Sequence, residues 1–217
     1  MLRALVLGFL LAFPGVAQNA APLDPALRPS SEEERLVVTE MSRIRLHPKE
    51  YARWLKTLVK YFEGTLWRLP EQTPIRTEEG AAALEELIEF LDKSPSIGPL
   101  RWSEGLSRAA RTLVLEQGPT GWTGHTGPTG STLQTRTLRH GLYQSTVGEV
   151  INYGAEKAQW TVMQLLIDDG VPSRAHRKAI FNAAFHVAGA ATGPHAEYEE
   201  MTVVDLADAF LENPESK

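Results

Sequence analysis

The chain has 217 residues, a formal net charge of −5, 42% hydrophobic and 23% charged residues, and no cysteine. That is the composition of an ordinary globular chain with one good core. Its mild acidity argues against nucleic acid or an anionic membrane as the main partner. The missing cysteine excludes disulfides, thiolate zinc sites, iron–sulfur clusters, a cysteine nucleophile and a cysteine-linked lipid anchor.

Along the chain, Arg3 precedes an apolar run over residues 4–13, broken by Pro14 and followed by the small residues Gly15, Val16 and Ala17. This pattern predicts a secretory signal peptide over residues 1–17. The apolar run is half the length of ~20 residues that a membrane-spanning helix needs. The chain is therefore expected to be secreted or periplasmic, and not membrane-spanning. Residues 18–30, rich in Ala, Pro and Asn, read as a linker. Residues 31–217 read as a single domain with an N-terminal helical extension.

Ser31 and Glu34 form a capping-box pattern before the periodic Leu36, Val37, Met41 and Ile44. Pro48 suits the first turn of a second helix, with Tyr51, Trp54, Leu55, Leu58 and Phe62 as its apolar stripe. Residues 64–76 read as a polar loop. Helices are expected over 77–91 and from Ser103 to about residue 116. Residues 118–132 carry the chain's internal repeat, five Gly-x-Thr-like triplets. Glycine at every third position predicts a tight surface loop with positive φ angles. Short helices are expected over 132–140, 158–167 and 173–181, and strands over 145–153, 185–192 and 201–205. Strands segregated from helices in this way predict an α+β domain with a small antiparallel sheet between helical layers. The tryptophans read as core or edge packing.

Three residues stand in settings that packing does not require. His125 lies within the glycine-rich loop, His176 lies between Arg174 and Arg177, and Glu149 lies in a strand that otherwise reads as buried. A buried glutamate is costly unless paired or cation-bound. Two imidazoles and a carboxylate can hold a divalent metal with an open position or act as general base and acid.

The ordered blocks Gly124-His125, Gly148-Glu149 and Asp168-Asp169-Gly170-Val171-Pro172-Ser173-Arg174-x-His176-Arg177 follow Leu100-x-Trp102-Ser103-x-x-Leu106. Together they resemble the CAP superfamily (cysteine-rich secretory, antigen 5 and pathogenesis-related 1), in its bacterial, cysteine-poor SCP-like branch. The resemblance implies an α-β-α sandwich with a small central antiparallel sheet. It also implies a cavity holding two histidines and two acidic residues, matched here by His125, Glu149, His176 and Asp168, with Asp169 competing for the fourth place. In some relatives this cavity suits zinc or another divalent ion; here His125, His176 and Glu149 are the candidate ligands for zinc or calcium. Several positions depart from the branch: Val150, Thr129, Ala175, Ser42 and Leu113 replace usual polar, glycine or histidine residues. The readings open at this point are three. One is an extracellular binding module for a peptide, glycan or lipid. Another is a hydrolase with Glu149 or a metal-activated water as base. The third is a structural His–Glu cluster that ties loop to sheet.

Overall fold

The computed structural model describes residues 28–70, 73–154 and 157–213. The expected signal peptide and most of the linker lie outside the described residues. The linker's last residues are docked rather than loose: Arg28 pairs with Glu34 at 2.6 Å, and the Ser30 hydroxyl donates to Glu104 at 2.9 Å.

The capping box forms as read. The Ser31 hydroxyl accepts from the Glu34 amide, and the Glu34 carboxylate accepts from the Ser31 amide, opening α1 over Glu32–Leu46. Helix α2 follows over Pro48–Lys56 with Pro48 in its first turn. The expected loop at 64–76 is instead a meander of two-residue strands: β1 (Phe62–Glu63), β2 (Leu66–Trp67) and β3 (Ile75–Arg76). Phe62 stacks on Trp67 with centroids 4.8 Å apart, and Trp67 anchors these short strands in the main core. Helix α3 spans Ala81–Lys93 and starts later than its apolar spacing suggested. The amides of Glu78 and Glu79 are taken by the Asp169 carboxylate at 2.7 and 2.9 Å, and Gly80 has φ +64°.

The rest of the chain runs β4 (Arg101–Trp102), α4 (Glu104–Gln117), α5 (Leu133–His140), β5 (Gly141–Tyr143) and β6 (Val147–Tyr153). It continues with α6 (Ala158–Ile167), α7 (Ala175–Ile180), β7 (Val187–His195), β8 (Glu199–Ala207) and β9 (Phe210–Glu212). The central sheet has the order β4-β7-β8-β6. It is antiparallel over β7, β8 and β6, as expected, and the two-residue β4 adds to it parallel to β7.

Alternation along the strands gives the sheet two apolar faces. Val150, Ala188, Ala190, Val204 and Leu206 share one cluster with α1, α3 and α6 residues such as Met41, Leu84 and Leu166. Ile151, Ala191, Met201 and Val203 pack on Ala110, Leu113 and Val114 of α4. The domain is thus an α-β-α sandwich. Helix α4 comes very close to β7: a Cβ on Gly189 would lie 2.1 Å from the Ser107 amide nitrogen. α1 fills the core beside β7 and α6, so the N-terminal helices are an integral layer of the sandwich. Strand β6 is an edge strand, and it carries one half of the site.

Candidate functional site

Glu149 sits on β6 facing the α4 layer, with its side chain 1% exposed. Its Oε1 is 2.9 Å from His125 Nδ1, and its Oε2 accepts from the Arg136 guanidinium at 2.5 Å. Arg136, from α5, is itself fully buried. The His125 ring is open to solvent at 58% exposed. Its loop is tied down from below: Gln117 Nε2 donates to the Gly124 carbonyl at 2.6 Å, and the Gly124 amide donates to the Tyr153 hydroxyl at 3.0 Å. Gly124 has φ +93°, a backbone state that a side chain rarely adopts. Glycine-rich spacing therefore serves to fold a tight loop that presents one imidazole to a buried carboxylate.

The opposite face of the pair is a second acid. Asp205 on β8 is the cross-strand partner of Glu149 and is fully buried. No N–H among the described residues reaches its carboxyl oxygens, and the side chain they meet is that of Glu149. Burial, and next the negative charge of Glu149, push the Asp205 carboxyl well above the usual carboxylate range, against the opposing pull of Arg136.

His176 belongs to a different cluster. Asp168 ends α6 in the left-handed region (φ 57°) and turns its carboxylate back on α7. Its Oδ2 accepts the His176 amide at 2.9 Å, and its Oδ1 meets His176 Nδ1 at 2.7 Å. One carboxylate thus caps a helix start and orients an imidazole. Asp169, the competing assignment, is spent on the Glu78 and Glu79 amides. Arg174 locks the turn from behind, donating to the Asp168 carbonyl at 2.7 Å and to the carboxylates of Glu79 and Glu86. Hydrogen bonds from Arg174 hold Glu79 well down, at about 2.

The four predicted residues are therefore arranged as two His–carboxylate pairs, and the two pairs differ in setting. The His176–Asp168 pair lines a cleft of about 410 Å³. Phe62, Trp67 and Ile75 of the meander form its apolar side, Asn152 and Gln164 its polar side, and β6 its edge. His125 and Glu149 are not among the residues that line this cleft. A second cavity of about 430 Å³ continues from it past Ile75, Gly154 and Gln164 to Tyr198 and Glu199.

The donors do not fit a resident divalent ion. Among the described residues, no group of three or more His, Asp or Glu side chains could hold a metal. Glu149 has one oxygen on a guanidinium and the other on an imidazole, and its side chain is 1% exposed, so a cation there would compete with Arg136. A zinc site with an open position needs three protein ligands.

A family model, that of the cysteine-rich secretory protein (CAP) family, matches residues 76–206. The chain belongs to this family. The matched span contains both His–carboxylate pairs; α1 and α2 precede it. No curated protein matches the chain. Among solved structures, an outer surface protein of Borrelia burgdorferi is 21% identical with a TM-score of 0.44, over 57% of this chain and 86% of that one. An extracellular protein of Bacillus anthracis containing an SCP domain is 20% identical with a TM-score of 0.40, over 51% of this chain and 34% of that one.

Several residues of this CAP domain's site escaped the reading of the sequence. Asp205 carried the same signal as Glu149, a charge inside an otherwise apolar strand. Arg136 carried none, because an arginine in a short polar helix looks solvated. The residues that replace usual family positions have taken other work: Ser42 accepts the Leu100 amide at 3.0 Å, Thr129 donates to Glu116 at 3.0 Å, and Val150 and Leu113 are core. Of the tryptophans, expected as core or edge packing, Trp67 is buried in the core and Trp122 lies 53% exposed on the glycine-rich loop.

Proposed function

We propose that this CAP domain is an exported ligand-binding module and that its ligand occupies the cleft beside β6. The observation that carries the reading is the cleft's composition. An apolar wall faces a small number of fixed polar groups: the His176 imidazole, oriented by Asp168, and the Asn152–Gln164 amide pair, joined at 2.8 Å. That is the usual make-up of a site where apolar contact supplies affinity and a few placed polar groups supply orientation. The N-terminal signal pattern supports an extracellular or periplasmic setting. In this reading the His125–Glu149 pair is a structural tie, which joins the glycine-rich loop and α5 to the sheet. Glu149, the candidate base of a hydrolase, has both oxygens engaged and turns neither toward the cleft, whereas a general base must reach the proton that it abstracts.

The test is a fragment library screened in solution by two-dimensional amide NMR on the chain from residue 28 onward. Shifted amides are expected to cluster at Asn152, Gln164, Val171 and His176. Hits that cluster around His125 and Trp122 instead, or no hits at all, would count against the cleft.

A further inference from the structure

The cleft has an open backbone edge, and that edge narrows the class of ligand. The amide of Gly154 donates to the carbonyl of Glu200 at 2.8 Å, and the amide of Asp208 donates to the carbonyl of Thr146 at 3.2 Å. With the β6–β8 register, this makes residues 148, 150, 152 and 154 the ones that bond to β8. The main-chain groups of Glu149, Ile151 and Tyr153 then point the other way, off the sheet. None of them has a hydrogen-bond partner among the described residues. Water reaches this edge at Glu149, whereas Ile151 is 6% exposed and meets the cleft only at its rim. Glu149 as a residue is partly exposed although its side chain is 1% exposed, so the exposed part is main chain. Further along, the consecutive residues Ile151, Asn152, Tyr153 and Gly154 all line the cleft. Side chains of consecutive strand residues alternate between faces, so what these four share is the edge itself.

A second observation points to a ligand. Asn152 is 8% exposed, lines the cleft, and donates its Nδ2 to Gln164, while its Oδ1 is buried without a partner. A buried acceptor left unpaired is costly, and a donor from a bound molecule would satisfy it.

Resting on the reading that the cleft is a binding site, we propose that its ligand is an extended peptide that adds to the β6 edge as a fifth strand of the central sheet. A strand is the ligand whose own amides and carbonyls match outward pairs at every second residue. A lipid or a glycan has no such repeat. The cleft sets the peptide's chemistry as well. Alternate side chains would turn toward Phe62, Trp67 and Ile75 and be apolar. The end near Tyr198 would meet the exposed Glu199 and favour a lysine or arginine.

The test starts from random linear heptapeptides displayed on phage, panned on the full chain, with the enriched peptides then synthesised. Each synthetic peptide is methylated at one backbone nitrogen at a time, which leaves the protein untouched. Strand pairing predicts period-two behaviour: affinity falls about tenfold or more at the pairing positions and stays within about threefold at the others. It also predicts slowed hydrogen exchange at the Ile151 and Tyr153 amides in the complex. Peptides that shift the His176 and Asn152 signals without period-two sensitivity or that protection would overturn strand addition and leave the cleft reading standing. Enriched peptides that shift neither signal, or no enrichment at all, would overturn both.

Discussion

Replacing Asp205 by Asn is expected to raise stability, and to raise it more as pH rises. Asp205 is fully buried opposite Glu149, and both its burial and that neighbour's charge push its carboxyl well above the ordinary 3.8. In the unfolded chain the same carboxyl ionises near its ordinary value. Between that value and the raised one, the folded state holds a proton that the unfolded state has released. Stability therefore falls as pH rises, by about 1.4 kcal/mol per pH unit for one such proton. The Asn side chain has nearly the same volume, takes no part in titration and offers an Nδ2 donor toward Glu149. The gain from Asp205→Asn should thus be smallest near pH 4 and widen with pH by up to about 1.4 kcal/mol per unit. Urea unfolding followed by circular dichroism, run on both proteins from about pH 4 to about pH 7, reads this difference directly. Parallel stability curves would show instead that Asp205 is ionised in the fold and shares Arg136 with Glu149.

Four further outcomes follow from the two pairs. Arg136→Met leaves Glu149 buried beside Asp205 without its guanidinium and should cost about 3–5 kcal/mol in chemical unfolding; a loss below about 1 kcal/mol would mean that the guanidinium is not what holds Glu149 in place. Arg174 depresses the carboxyls of Glu79, to about 2, and Glu86, so the stability this latch contributes is present above the ordinary 4.5 and is lost as pH falls toward 2. The gap in urea midpoint between the native chain and Arg174→Gln should accordingly close over that window, and a constant gap would contradict it. Calorimetric titration with zinc should give the same trace for the native chain and for a His125→Ala, His176→Ala double variant, because the donor set lacks a third ligand; saturable binding lost in the double variant would restore the metal centre. Finally, His176→Ala should weaken cleft-bound fragments about fivefold or more, one hydrogen bond's worth, while His125→Ala should leave them unchanged.

Much of this fold was readable where a strong local signal agreed with the packing. The capping box at Ser31, the apolar stripe of α4 and the β7–β8 hairpin each formed where the sequence placed them. What escaped was non-local or too short to show a period. β5 pairs with β9 through Leu142 and Leu211, residues far apart in sequence. The two-residue strands β1 to β3 show no alternation at all, yet they build one wall of the cleft. The same limit holds at the site. His125, Glu149, Asp168 and His176 could be named from their blocks, but pairing is a matter of tertiary placement. Asp168 turns toward His176 because it caps α7, and Arg136 reaches Glu149 from a helix that shows no apolar anchor toward it in the sequence. Beside Asp168 and His176 the cleft is lined by Asn152 and Gln164, which meet only once α6 lies beside β6.

Crystals of the chain soaked with the NMR-selected fragments would show whether the ligand site is the cleft between β6 and the meander, with the His125–Glu149 pair a structural tie. Ligand density is expected against Phe62 and Trp67, within hydrogen-bonding distance of the His176 ring or the Asn152 amide. Density confined to the His125 ring and Trp122, with the cleft empty, would contradict it.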